Sequence, residues 1–475
     1  MPDTHRQPAG RASAIGGRIS ASGCGRFRHI RWQHPGSLPY RPPATRAGRP
    51  MPHRLTPPSS LPRLLAALAT ALLCLAVQAQ GVIDTTQRGT GTAVAIGGGL
   101  KSDNDQIYDR LIAAAGGKSA RWVVFGTASE NPTGSADGVV QQFRQRGVTA
   151  VALPVSPLLK DRPVDAAVRD PALVAQVQAA KGVYFTGGAQ ARIADAFQPG
   201  GQATPLLQAI WAVYRAGGVV AGTSAGAAIM STTMFRDAPD VLGAMKGKLR
   251  DGEEVGRGLG FMGPALFVDQ HFLKRGRIGR MLPLLQARGY TLGLGVEENS
   301  AAVLQGDTVE ILGRALLVNL AEARTDASLG AFNLSNVRVS LLDTGDTLRL
   351  PGGQMTPSPA KLKGQVLDPA AAGYKPYYSE PPFYVDMLGD NVIGTAMGLL
   401  IDGSFADVRG IAFHPRPPAS DALGALGFEF LLSKGPGSMG WTTEAGGGED
   451  YTVRDLRLAV RPIRMAQPMY TPWAR

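Results

Sequence analysis

The stretch Gly218-Val219-Val220-Ala221-Gly222-Thr223-Ser224-Ala225-Gly226-Ala227-Ala228-Ile229-Met230 runs from an apolar, β-rich segment through Gly-x-Ser-x-Gly into small residues that suit a helix. A chain that turns from strand to helix within one or two residues crowds its own backbone, and the flanking glycines let neighbouring main chain pass. Such an elbow would hold Ser224 Oγ at the tip of a strand, with the Ala225 amide facing developing negative charge. With 61 glycines in the chain the five-residue pattern is common by chance, so its weight comes from the strand before it and the helix after it. The bland alternative is a tight strand–helix turn around a buried serine.

Working outward, apolar strand-like runs at Thr92–Ile96, Trp122–Phe125, Thr149–Pro154, Val183–Phe185 and Val219–Ala221 alternate with helical patterns at Asn104–Ala115, Asp137–Arg146, Asp170–Lys181 and Pro205–Arg215. This alternation predicts an α/β fold: a doubly wound, mostly parallel sheet with helices on both faces. Active sites in such sheets lie at the C-terminal strand ends, here the loops Gly97-Gly98-Gly99, Gly126–Ser129 and Thr186–Gln190. Gly97–Gly99 reads as a loop of close backbone approach. Gly89-x-Gly91 precedes its strand and fails as a dinucleotide fingerprint, and no P-loop occurs. Beyond about residue 303, short β-like runs (Val309–Leu312, Val337–Leu342, Thr347–Leu350, Gly427–Leu432, Leu456–Val460) alternate with Gly/Pro-rich segments. We therefore expect an α/β catalytic domain over 80–303 and a β-rich region over 304–475, whose role in substrate binding or packing is open.

The formal charge of +12 suggests a nucleic-acid partner, but residues 1–79 hold 11 Arg, no Lys and a single acid, and without them the charge falls to +2. Nucleic-acid binding is therefore not expected. Arg63 precedes an apolar segment over about 64–79 that ends in Val77-Gln78-Ala79. It reads as a secretory signal peptide, too short for a membrane span, with Met51 as an alternative start. The expected location is secreted or periplasmic, with no stable membrane anchor after cleavage. Both cysteines, Cys24 and Cys74, fall in this leader, which excludes disulfides, thiolate metal sites and a Cys nucleophile from the remainder. Only His271 and His414 lie beyond it, so a histidine-based zinc site is not expected.

A hydrolytic serine needs a base, an acid to orient that base and donors for the oxyanion. His271 follows the apolar run Ala265–Val268, whereas His414 sits in the Pro-rich turn Phe413–Pro418, so His271 is the candidate base; the alternative is a structural histidine. Asp269, Glu297 and Glu298 are candidate acids. Gly293–Val303 reads as one strand, which would point Glu297 and Glu298 to opposite faces and leave one of them solvated. Lys274-Arg275-Gly276-Arg277-Ile278-Gly279-Arg280 reads either as a solvated basic face or as an anion clamp for an acidic substrate.

Four separated motifs, Phe185–Ile193, Gly222–Ala227, Asp269–Arg280 and Gly295–Ala301, together resemble the cyanophycinase family over roughly residues 91–304. Members cut cyanophycin, a poly-aspartate bearing arginine on each β-carboxyl, into β-Asp-Arg dipeptides. They share the flavodoxin-like, class I glutamine amidotransferase-like fold with aspartyl dipeptidase E. The resemblance implies Ser224 as nucleophile, His271 as base and Glu298 as orienting acid. It also implies an oxyanion hole from the amides of Gly188 and Ala225, and a substrate pocket of Gln190, Asp269, Gln270, Arg275, Arg277 and Arg280. No metal or cofactor is required, the implied partner is cyanophycin or another aspartyl peptide, and a homodimer is admitted. Two departures concern specificity: Lys101-Ser102-Asp103 follow Gly99-Leu100 where many relatives place an acid directly after the glycines, and Ala189 stands where an acidic or polar residue is frequent. Two other functions remain open, an Asp-X or isoaspartyl dipeptidase on the same scaffold and a secreted protein that binds polymer without cleaving it.

Overall fold

The computed structural model describes residues 81–237, 240–443, 450–466 and 468–473. The expected leader, with Met51 and both cysteines, lies outside them. Strand periodicity sorts the first core. In β1 (Thr92–Ile96), Ala93 and Ala95 face one apolar cluster while Val94 and Ile96 face another. With β2 (Arg121–Phe125), β3 (Thr149–Leu153), β4 (Gly182–Phe185) and β5 (Val219–Thr223) it builds a parallel array in the order β1-β5-β4-β2-β3. Helices cover both faces, which is why these strands are apolar almost throughout. Helices Asp105–Ala114 and Pro132–Gln145 lie on one side, where Trp122 stacks on Phe143 at 4.5 Å. Helices Pro171–Gln178, Gln190–Phe197 and Pro205–Arg215 lie on the other. Helix Pro132–Gln145 begins five residues before the expected Asp137. Asn131 Oδ1 caps the Gly134 amide at 3.1 Å and Pro132 occupies the first turn, but Thr133-Gly134-Ser135 shows no apolar period.

Past the elbow, β6 (Thr233–Phe235) and β7 (Val255–Arg257) form a short ribbon. β8 (Leu266–Gln270) and β9 (Leu292–Val296) then pair in parallel, but in a second sheet. β10 (Ala301–Gln305) returns to the first sheet antiparallel to β1, and β11 (Thr308–Leu312) extends it. β12 (Ala315–Asn319) and β13 (Leu334–Leu342) join the second sheet, while β14 (Thr347–Arg349) and β15 (Gln354–Thr356) finish the edge of the first. The second sheet runs, edge to edge, Phe383–Tyr384, Asp407–Ala412, Leu426–Ser433, Thr452–Arg464, β13, β12, β9, β8. Four antiparallel strands thus flank the five parallel ones. The expected boundary at 303/304 falls inside β10, and both sheets take strands from either side of it. A texture change marks where antiparallel pairing becomes frequent; it does not mark where a core ends.

The sheets share a core. Leu292, Leu294 and Val296 of β9 pack in one cluster with Ala93, Ala95 and Val220. On the far side of the second sheet, helices Ile278–Arg288 and Val392–Ile401 bury a separate cluster. Glycines in β9 admit this layer, because a Cβ on Gly295 would stand 2.0 Å from the Phe272 ring.

Candidate active site

Ser224 joins β5 to the short helix Ala225–Ala228 with φ 53° and ψ −109°. A residue with a Cβ held there carries roughly 1–3 kcal/mol of backbone strain. The surroundings hold it in place: the Ser224 amide donates to the Ile96 carbonyl at 2.9 Å, and the Ala227 and Ala228 amides donate to the Ser224 carbonyl at 2.9 and 3.0 Å. A Cβ on Gly222 would stand 2.3 Å from the Gly226 oxygen, and one on Gly226 would stand 2.4 Å from the Phe185 oxygen. Both glycines of the motif are therefore required by contact. The Thr186–Ala189 loop passes beside the serine, with the Cβ position of Gly187 lying 3.2 Å from Ser224 Cβ. Gly188, at φ 137°, leaves room for the Ala128 carbonyl, which accepts the Ala189 amide at 2.9 Å. The loop carrying Gly188 thus passes beside Ser224, and Ala225 opens the helix directly after it.

The expected base and acid come from the second sheet. His271 follows β8 and Glu298 follows β9, while Ser224 belongs to the first sheet. Ser224 Oγ lies 2.8 Å from His271 Nε2, and His271 Nδ1 lies 2.5 Å from Glu298 Oε1. A carboxylate at Nδ1 selects the tautomer with its proton there, so Nε2 accepts from the serine hydroxyl. Burial pushes the His271 imidazole below its ordinary range, the Glu298 hydrogen bond opposes that shift, and the Arg275 and Arg277 charges reinforce it. The ring is consequently neutral at neutral pH, as a general base must be.

The glycine loop after β1 joins the halves of this arrangement. The Gly97 carbonyl accepts the His271 amide at 2.7 Å, the Gly98 carbonyl accepts the Asn299 amide at 2.7 Å, and the Gly97 amide donates to the Ser300 carbonyl at 3.0 Å. Gly98 has φ 104°, and a Cβ there would stand 2.2 Å from His271 Cε1. The loop is one of close approach, and the imidazole is what it approaches.

The basic run behaves differently from a clamp. Arg280 grips Asp269 with two bonds, Nε to Oδ2 at 2.7 Å and Nη2 to Oδ1 at 2.6 Å, and stacks over Phe235 at 4.4 Å. Arg277 donates to the Gln270 carbonyl at 2.6 Å and lies 3.6 Å from Asp269. All three side chains are buried. Burial pushes the Asp269 carboxyl up, but the Arg280 and Arg277 charges outweigh it and hold it below the usual range. Burial also brings Arg277 down to about 10, still protonated at neutral pH. The expectation of Asp269 as an open pocket residue, with three arginines as an anion clamp, is therefore corrected: Asp269 is filled by Arg280, and of the three arginines only Arg275 is exposed. The reason is geometric, because Arg277 and Arg280 begin a helix whose first turn folds back over the β8 strand end. Gln190 donates to the Phe235 carbonyl at 2.7 Å. Gln270 Oε1 is buried and has no partner among the described residues.

Residues 93–312 match the model of Peptidase family S51. A protein of Geminocystis herdmanii named cyanophycinase is 30% identical over 268 residues, which cover 54% of this chain and 92% of that one. The chain belongs to peptidase family S51. It is a serine-type peptidase. A protein of Trichormus variabilis named cyanophycinase is 28% identical over 285 residues, 58% of this chain and 91% of that one. The crystal structure of a peptidase from an acI-B1 Actinobacterium aligns with a TM-score of 0.37 at 21% identity, covering 57% of this chain and 96% of that one.

Two residues of this S51 chain escaped the sequence reading. The run Gly293–Val303 is not one strand: Glu297–Ser300 form a crossover between the sheets, turned by Asn299 at φ 54°. Glu297 is not solvated. Its Oε2 accepts the amides of Leu273 at 2.5 Å and Lys274 at 3.0 Å, holding the turn that follows His271. Asn299 Oδ1 accepts the Lys101 amide and Asn104 Nδ2, both at 3.0 Å, and so secures the outgoing side of the glycine loop. Two adjacent acids followed by Asn, inside an otherwise apolar run, were the available signal for a turn.

Proposed function

We propose that this S51 peptidase hydrolyses cyanophycin to β-Asp-Arg dipeptides, with Ser224 as nucleophile, His271 as general base and Glu298 as the acid that orients it. The observation that carries the reading is the pair of contacts meeting at one imidazole, 2.8 Å to Ser224 and 2.5 Å to Glu298. His271 takes the hydroxyl proton as Oγ attacks an aspartyl carbonyl, then gives it to the leaving amine, and water resolves the acyl-enzyme. The amides of Gly188 and Ala225 receive the oxyanion, a contribution of about 3 kcal/mol per donor in comparable sites. Gln270 Oε1 offers a substrate donor a buried acceptor, and exposed Arg275 meets a substrate carboxylate. The substrate follows from the two relatives named cyanophycinase, and the expected leader directs the chain out of the cytoplasm.

Purified protein incubated with insoluble cyanophycin should release β-Asp-Arg, identified by mass spectrometry. Cleavage of free Asp-X dipeptides with no action on the polymer would overturn the substrate. Binding of polymer without turnover, and without labelling of Ser224 by a serine-directed reagent, would overturn the chemistry.

A further inference from the structure

The loop that follows His271 is gripped from two directions, and one grip lies beyond the family-matched residues. From the crossover, Glu297 accepts two of its amides. From the opposite side comes the turn Leu388-Gly389-Asp390-Asn391. The Asn391 amide donates to the Leu273 carbonyl at 3.0 Å. The Leu388 carbonyl lies so close to Gly276 that a Cβ there would stand 2.0 Å from it, and the Leu388 side chain reaches within 3.0 Å of the Cβ position of Gly279. Lys274 Nζ meets Asp390 Oδ2 at 2.5 Å. The turn is anchored by the helix Val392–Ile401, whose Ile393, Ala396, Met397, Leu400 and Ile401 are buried in the second core. Asn391 itself holds φ 58° at the start of that helix.

His271 has φ 46°, a conformation a residue with a Cβ keeps only when its neighbours over-determine it. Gly97 fixes the entry to that residue, and the loop over 272–277 fixes the exit. We propose that the Leu388–Asn391 turn is a positioning element for the base: it clamps the exit loop so that the imidazole stays between Ser224 and Glu298. The proposal rests on His271 acting as the base. The turn acts through the loop and touches neither Ser224 nor Glu298. The region beyond residue 312 is then part of the catalytic apparatus and not a separable attachment.

Asn391→Val and Asn391→Gly test this in the full chain, since a β-branched residue resists positive φ and glycine adopts it freely. Asn391→Val should lower kcat roughly 10–100-fold, the scale of a 1 Å misplacement, with KM changed by less than about twofold; Asn391→Gly should restore most of the rate. The His271 imidazole NMR signal, identified by its loss in His271→Gln, should titrate at a shifted pH in Asn391→Val and normally in Asn391→Gly. If Asn391→Val fails to fold by circular dichroism, Leu388→Ala, which trims only a half-buried side chain, should move rate and titration in the same direction by a smaller amount. A folded variant with wild-type kcat and an unmoved His271 signal overturns the proposal, as does an effect confined to KM. A shifted His271 signal at wild-type kcat supports the clamp and overturns His271 as the base.

Discussion

The two sheets contribute to one site by different means. The parallel sheet supplies Ser224, the proposed nucleophile, on a strained elbow flanked by Gly222 and Gly226 and held by the neighbouring strand ends at Ile96 and Phe185. The antiparallel-rich sheet supplies His271 and Glu298 from the ends of β8 and β9 at its edge, held by partners far away in sequence. The turn that presents the serine is written in consecutive residues. An imidazole at a sheet edge, the proposed base, needs braces, and here they come from Gly97, Glu297 and the turn near residue 390. The seam between the sheets is therefore where the chemistry is most exposed to structural error.

The largest expected effect tests the local half. Ser224→Ala should lower turnover by at least about 1,000-fold while circular dichroism stays unchanged, and wild-type rates of product release would remove the nucleophile assignment. Gly98→Ala tests the seam. Its Cβ would overlap the imidazole, so kcat should fall about 100-fold with the serine intact; an unaffected rate would show the ring is held elsewhere. Smaller changes should appear in the pH profile. Because the His271 imidazole lies below its ordinary value near 6.5, kcat/KM should rise with pH through a midpoint below that value and level off before neutrality. Glu298→Gln removes a raising influence and should move this limb to lower pH as well as slowing the reaction. Arg275→Gln removes a lowering influence and should move it upward. A pH series of initial rates on the three proteins distinguishes these signs.

A last variant probes the second sheet's own stability, away from the seam. Lys361 is buried between Asp343 and Asp450, 2.9 Å from each. Lys361→Met should cost about 2–4 kcal/mol of unfolding free energy, because two carboxylates lose their common cation. Turnover below the melting transition should be unchanged. Denaturant titration paired with rate measurement checks both, and a large loss of kcat without loss of stability would contradict the division drawn here.

The same contrast explains what could be read from the sequence. β1 and helix Pro205–Arg215 match their expected limits residue for residue, and β2 to β5 lie within two residues of theirs, since apolar runs and helical periods there report local structure. The Gly-x-Ser-x-Gly turn and the glycine loop were legible for the same reason. The crossover at Glu297–Ser300 was not, because pattern reveals strand character and not sheet membership: β9 and β10 are equally apolar and belong to different sheets. Helix Val392–Ile401 went unread because it is apolar on nearly every face and offers no period. The partnership of Arg280 with Asp269 joins a helix turn to a strand end, and spacing alone did not separate an internal pair from a clamp. His271 stood out by scarcity, whereas the brace at Leu388–Asn391 carries no chemical signature of its own.

The order of strands in the second sheet has a consequence for how the protein is made. The long segment Thr452–Arg464, the last of these strands in sequence, lies mid-sheet between β13 and Leu426–Ser433. A polypeptide made first residue foremost must leave that central slot empty, with two unsatisfied borders, until residues 452–464 arrive. Closure across more than a hundred positions is slow to nucleate, and the layer stays in two halves until that one segment is in place.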